Sequence, residues 1–206
     1  MTESLLHPGW PAHLAWGPVE LHPLRRRDAA EWCRLRLANE AWLAPWEPSS
    51  AVPWRTRHTP SAYRAMRRAM ARRARAGTSV PLAIRVEGRL AGQVTVDNIV
   101  RGAMRSGHLG YWIDRSVAGR GMASLAVALV CDHAFGTVGL HRLQADIRPE
   151  NVLSQRLVER LGFHREGLLR RYLDIDGDWR DHLSYALLVE DNPAGVLNRW
   201  RASIPR

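Results

Sequence analysis

The stretch Gly110-Tyr-Trp-Ile-Asp-Arg-Ser-Val-Ala-Gly-Arg-Gly-Met-Ala123 decides how this chain is read. Gly110 to Ile113 ends a strand, a loop carrying Gly119 and Gly121 turns the chain, and an apolar helix begins at once. The first turn of a helix leaves backbone N–H groups without intrahelical partners, and the helix dipole favours negative charge there. Such a strand-to-helix junction suits a pyrophosphate. Gly119 and Gly121 let the backbone approach phosphate oxygens with no Cβ in the way, and Arg120 adds a charge. Taken alone, the pattern also fits an ordinary turn. It is neither a G-x-G-x-x-G dinucleotide fingerprint nor a phosphate loop closed by Gly-Lys-Ser/Thr.

Working downstream, Gly121 to about Phe135 reads as a helix with Met122, Leu125, Ala126, Leu129 and His133 on one face. Leu143 to Ile147 is a strand, and Asn151 caps a helix whose Leu153, Leu157 and Leu161 recur four apart. Leu168 to Ile175 and Trp179 to Leu188 form a hairpin across Asp176-Gly177, a favoured two-residue turn. Upstream, Leu82, Ile84 and Val86 alternate, Glu87-Gly88 turns, Leu90 to Val100 returns, and Gly107 to Ile113 completes the strand series. Thr59-Pro60 caps and opens a basic helix from Ser61 to about Arg75. Three prolines within Leu43 to Trp54 exclude a long helix there. A strand over Val19 to Leu24 and a helix from Arg27 to about Asn39 lead in. The order β-α-α-β-β-β-α-β-α-β-β is a mixed α/β layout. Residues 1–17 read as a loosely packed arm, 18–190 as one domain and 191–206 as a tail.

The length of 206 residues fits one domain. With 46% hydrophobic and 24% charged residues the chain is expected to fold as a soluble globule rather than stay disordered. Neither a transmembrane run nor a signal segment is expected. Cys33 and Cys131 show no paired spacing, which points to buried thiols and a cytoplasmic setting. The 30 basic residues are all arginine and the net charge is +10, which implies attraction to polyanions: a cofactor phosphate, the ribosome or nucleic acid. Arg67, Arg68, Arg72, Arg73 and Arg75 share one helix, read first as a solvated face and second as a ribosome-docking patch. Asp174, Asp176 and Asp178 lack the closing glutamate of a calcium loop, and the histidines show no HExxH, so no metal is expected.

The stretch Ala118-Gly-Arg-Gly-Met-Ala123 resembles the acetyl-CoA loop of GNAT acetyltransferases, Gln/Arg-x-x-Gly-x-Gly/Ala, with Ala118 at the position where the family prefers a longer polar side chain. Asn151-x-x-Ser154 followed by Arg160-Leu161-Gly162-Phe163 resembles the family's second half, and Gly110-Tyr111-Trp112-Ile113 its splayed strand. Leu43-Ala-Pro-Trp-Glu-Pro48 and Tyr172-Leu-Asp-Ile-Asp-Gly-Asp-Trp-Arg-Asp-His182 are similar to segments of the RimJ/RimL group, N-terminal acetyltransferases of ribosomal proteins, on the RimJ side of it.

The resemblance implies a GNAT fold, a mixed sheet whose splayed central strand holds acetyl-CoA as acetyl donor. It implies cofactor contacts from Tyr111, Trp112, Ile113, Ala118, Gly119, Arg120, Gly121, Met122, Ala123, Ser124, Asn151 and Ser154. Acetyl transfer would go directly to a protein N-terminus, with a lysine or small amine as the rival acceptor. A basic RNA-binding protein with a vestigial loop is the reading from another class. Ser154 falls beside the leaving sulfur, Val158 replaces the tyrosine acid of many relatives, and a backbone N–H near Trp112 or Ile113 polarises the thioester. His108 stands where many relatives carry a glutamate base, and Glu47 is the second candidate.

Overall fold

The computed structural model describes residues 9–204. The outer ends of the expected arm and tail, residues 1–8 and 205–206, lie outside them. The chain forms β1 (Leu14–Trp16), β2 (Val19–His22), α1 (Ala29–Ala38), α2 (Glu40–Leu43), α3 (Trp54–Arg57), α4 (Pro60–Arg75), β3 (Val80–Val86), β4 (Arg89–Val100) and β5 (Ser106–Ile113). It continues through α5 (Met122–Gly136), β6 (Arg142–Ile147), α6 (Val152–Arg160), β7 (His164–Ile175), β8 (Asp178–Leu188) and α7 (Val196–Ala202). The strands make one eight-stranded sheet in the order β1-β2-β3-β4-β5-β6-β8-β7. Only β5 and β6 run parallel. This is the mixed α/β architecture expected.

Local chemistry sets the turns. Glu87 and Gly88 have φ of 51° and 76°, and Asp176 and Gly177 have 53° and 78°. Two left-handed residues in a row are what a twist-matched hairpin turn requires. Thr59 caps α4 by accepting from the Ala62 N–H at 3.3 Å, with Pro60 in the first helical position. The proline-rich stretch after α1 holds only short helical turns.

Two cores flank the sheet. On one face Trp32, Cys33 and Leu35 of α1 and Tyr63 of α4 pack over Ala83 and Leu90. On the other, α5 packs over Leu82, Ile84, Val94, Val96 and Leu109. The single apolar face expected of α5 is a correction: every residue from Ser124 to Cys131 is buried. A helix apolar all round needs cover on both sides, and α7 supplies the second through Val196 and Trp200. Asp132 of α5 fixes α7 by accepting from the N–H groups of Val196 and Leu197 at 2.7 and 3.0 Å.

The described parts of the segments read as a loose arm and a tail, residues 9–17 and 191–204, are therefore built into the body. β1 pairs with β2, Ala12 is buried, and His133 Nε2 donates to Gly9 O at 2.7 Å. Trp16 meets Trp200 edge-on at 5.4 Å. The leucine stripe of α6 is corrected as well. Leu153 is 62% exposed, whereas Val158 and Leu161 are fully buried.

Cys33 and Cys131 are free and buried, and burial pushes both thiols up. On α4, Arg68, Arg72 and Arg75 are exposed, while Arg73 pairs with Asp97. Among the described residues no helix is long and apolar enough to cross a membrane, and no cluster of acidic, His and Cys side chains could hold a metal.

Candidate active site

β5 and β6 pair only from Ser106↔Arg142 to His108↔Gln144. Beyond that, β5 stays on β4 up to Ile113 while β6 stays on β8 up to Ile147, so the two strands part. The fork opens into a cavity of about 490 Å³. Asp114 N donates to Ala91 O, and antiparallel bonds alternate, so the amides of even-numbered residues such as Trp112 turn towards β4. Those of Tyr111 and Ile113 turn towards the fork. Of the two amides expected for thioester polarisation, geometry therefore retains Ile113. Its carbonyl is fixed by Trp42 Nε1 at 3.1 Å.

The loop after β5 is clamped before it reaches the glycines. Asn39 Nδ2 donates to Asp114 Oδ1 at 2.9 Å and Arg115 N donates to Asn39 Oδ1 at 2.9 Å. Burial would raise the Asp114 carboxyl, but hydrogen bonds from Ser116 and Asn39 outweigh it and hold the group low. Gly119 and Gly121 sit at φ of 76° and 78°. Among the described residues no side chain caps α5, which leaves its leading N–H groups available to an anion. A left-handed backbone without Cβ atoms over an uncapped, apolar helix fits a pyrophosphate cradle.

Tyr111, Trp112, Ile113, Ala118, Gly119, Gly121, Ala123, Ser124, Asn151 and Ser154 all line the cavity. Arg120 and Met122 do not: the left-handed turn throws Arg120 out to solvent, and Met122 packs on the core. Sequence reasoning missed Trp42, Trp46, Arg156 and Arg160. The Arg156/Arg160 spacing was visible, but the leucines beside it drew the helix's reading inward.

Asn151 Oδ1 is used as the cap of α6, accepting from Ser154 N at 3.1 Å. The Ser154 hydroxyl lies 2.6 Å from the Tyr111 hydroxyl. Burial pushes the Tyr111 phenol well above its ordinary range. Val158 lies in the core, so it offers the cavity nothing.

Both carboxylates in the cavity wall are held by arginines. Glu47 pairs with Arg36 at 2.8 Å. Arg36 is 3% exposed, donates through Nε to His58 Nε2 at 3.1 Å, and lies over the rings of Trp32, Trp54 and Trp112 at 4.8 to 5.6 Å. Glu150 pairs with Arg148 at 3.1 Å, and its own backbone N–H and that arginine hold its carboxyl low.

His108 lies outside the cavity wall, at the root of the fork. Its neighbour on the same strand face is Gly110, above which nothing lies within 4 Å, so His108 looks along bare strand towards Trp112. Its Nδ1 is 3.9 Å from Asp146 Oδ2.

A second hollow of about 530 Å³ meets the first at Glu47. Its wall is made where two distant segments join. Pro48 bridges to Ile175, Ser49 N donates to Asp174 O at 2.9 Å, and Gly177 N donates to Ser49 Oγ at 2.7 Å. The segments starting at Leu43 and at Tyr172, marked by resemblance alone, thus form one structure.

The profile of the acetyltransferase (GNAT) domain matches residues 19–164. The ribosomal protein uS5-alanine N-acetyltransferase of Escherichia coli is 32% identical over 167 residues, covering 80% of this chain and 84% of that protein. The probable N-acetyltransferase YjcK of Bacillus subtilis is 41% identical over 106 residues, which span 52% of this chain and 59% of that one. RimJ of Mycobacterium smegmatis in complex with CoA-disulfide superposes with a TM-score of 0.94 at 41% identity, covering 96% of this chain and 97% of that one.

Proposed function

This chain belongs to the GNAT acetyltransferase family, and on that premise we propose that it moves the acetyl group of acetyl-CoA to the N-terminal α-amine of a protein, a ribosomal protein being the expected acceptor. The observation that carries the acceptor class is that both carboxylates of the cavity wall, Glu47 and Glu150, are tied to arginines. A carboxylate so engaged has an oxygen turned to a guanidinium rather than to an incoming amine. The amine must therefore bring an appreciable neutral fraction of its own. An α-amine, with a pKa of about 7.7–8.0, is roughly a tenth neutral at pH 7, whereas a lysine near 10.4 is almost wholly protonated.

In the transfer the amine nitrogen attacks the acetyl carbonyl, the C–N bond forms, the C–S bond breaks and CoA departs as thiolate. The nitrogen gives up one proton to the base and the sulfur gains one from solvent or that same base. The N–H of Ile113 faces the fork to polarise the carbonyl, and the Ser154 hydroxyl donates to the departing sulfur. His108 takes the proton, directly or through water above Gly110. The loop from Ala118 to Gly121 and the N-terminus of α5 hold the pyrophosphate, and Arg156 and Arg160 offer charge to further phosphate. Ribosome docking through the exposed Arg68, Arg72 and Arg75 belongs to the same reading, and its sign is binding that weakens steeply with salt.

The test compares peptides that begin with Ala or Ser with the same peptides N-terminally blocked and carrying lysine. Faster acetylation of the free α-amines is expected. Preference for the blocked lysine peptides would overturn the acceptor class. Mass spectrometry of intact ribosomal proteins with and without the enzyme then names the acceptor.

A further inference from the structure

We propose that Tyr111 is a positioning residue for the leaving group: its hydroxyl donates to Ser154 Oγ and so aims the serine's own proton at the departing sulfur. The proposal rests on the reading that Ser154 serves the sulfur. Tyr111 and Ser154 approach the cavity from opposite walls, one from the splayed strand β5 and one from the first turn of α6, and their hydroxyl oxygens are 2.6 Å apart.

Two hydroxyls at that distance share one proton between them, and the question is whose. A phenol is a far stronger donor than an aliphatic alcohol, so Tyr111 donates and Ser154 accepts. Among the described residues the other partner in reach of the phenol is the Ser154 carbonyl at 3.4 Å, a longer and weaker contact. With one lone pair engaged, Ser154 keeps its O–H free for the cavity. Donation into its oxygen also polarises that O–H, which strengthens it as a donor to a thiolate. The raised phenol holds its proton throughout the working pH range, so Tyr111 orients and does not protonate. No proton leaves either oxygen. Alternation along β5 gives the arrangement its logic: Trp112 faces α1 and α4, while Tyr111 faces the α5 side and reaches α6.

CoA itself is the probe, because its thiolate absorbs in the ultraviolet and needs no acceptor. A donor at the sulfur lowers the pKa of the bound thiol. Tyr111→Phe removes only the hydroxyl, and Ser154→Ala removes the donor. Both are expected to raise the bound thiol pKa by a similar amount, and the double variant by no more than Ser154→Ala alone. CoA affinity should stay within about twofold. With acetyl-CoA and an alanine-initiated peptide, kcat in Tyr111→Phe should fall about tenfold, one hydrogen bond's worth, with KM unchanged.

If Ser154→Ala raises the thiol pKa but Tyr111→Phe does not, the proposal fails and the reading of Ser154 stands. If neither variant moves it, Ser154 is not at the sulfur and both fail. If Tyr111→Phe weakens CoA binding and leaves the thiol pKa alone, Tyr111 is a binding group and the proposal fails. Should Tyr111→Phe not fold, 3-fluorotyrosine at position 111 makes a stronger donor of the same shape. It should lower the thiol pKa further, and an unchanged value overturns the proposal.

Discussion

His108 is the last residue through which β5 pairs with β6, and its Nδ1 stands 3.9 Å from Oδ2 of Asp146 on the other arm of the fork. Asp146 is itself oriented by Gln144, whose Nε2 donates to both carboxylate oxygens at 3.0 and 3.1 Å. A carboxylate behind an imidazole steadies the imidazolium that forms when the ring takes a proton. His108→Gln is therefore expected to lower kcat by up to about 100-fold with little change in KM for acetyl-CoA. Asp146→Asn should lower it less. Steady-state kinetics across pH provide the check, and the acidic limb of the profile should vanish in His108→Gln. A variant that keeps both its rate and that limb moves the base elsewhere.

Glu47 has a different task if His108 is the base. Among the described residues it is the one carboxylate paired with the buried Arg36, so its loss strands a cation among three tryptophans. Glu47→Gln should cost on the order of 2 kcal/mol of stability, while kcat should change by less than about tenfold. Thermal melting and kinetics on the same preparation separate the two effects. A normal melting curve with a hundredfold loss of kcat would make Glu47 the base.

The same cluster makes stability depend on pH through His58. Its Nδ1 donates to Trp54 O at 2.7 Å and its Nε2 accepts from Arg36 Nε at 3.1 Å, an arrangement open only to the neutral ring. Burial, and then the Arg36 guanidinium, push His58 down to about 4 from its ordinary 6.5. Protonation is thus harder in the folded state than in the unfolded one. The stability contributed is fully present above pH 6.5 and is lost as pH falls from 6.5 towards 4, up to about 3 kcal/mol in all. Urea unfolding of the wild type and His58→Gln at pH 7 and pH 4.5 tests this. The variant should lose less stability than the wild type over that interval.

Gly121→Glu should abolish acetyl-CoA binding while the protein still folds. A Cβ there would meet only Trp200, at an ordinary 3.8 Å, but the residue would be held at φ 78°. That conformation costs a non-glycine residue about 1–2 kcal/mol. The carboxylate would occupy the phosphate cradle. In the wild type, cofactor at a hundredfold excess over Kd adds about 2.7 kcal/mol to stability. A thermal shift with acetyl-CoA should show that gain in the wild type and none in the variant. An unchanged shift would place the phosphate loop elsewhere.

What could be read in the chain was what local chemistry fixes. Glu87-Gly88 and Asp176-Gly177 announce hairpin turns because few residues tolerate a left-handed backbone. Thr59-Pro60 announces the start of α4. Gly119 to Ala123 announces a phosphate-ready helix start, and most residues expected there do line the cavity. The two RimJ-like segments were legible by resemblance, although nothing in their residues told that Ser49 and Asp174 would touch.

The sequence by itself determined the order of the longer strands and helices from β2 to β8, the two tight turns and the glycine loop, because each follows from side chains within a few positions of one another. Tertiary structure alone decided the rest. The fork at His108 exists because β5 and β6 follow different outer neighbours, which no property of either strand encodes. The burial of α5 on all sides awaited α7, more than sixty residues on. The pairing of Tyr111 with Ser154 and the approach of His108 to Asp146 depend on side chains brought together by the whole sheet. Hydrophobic periodicity says which face of an element is buried, and it does not say against what. Catalytic geometry lives in that second answer.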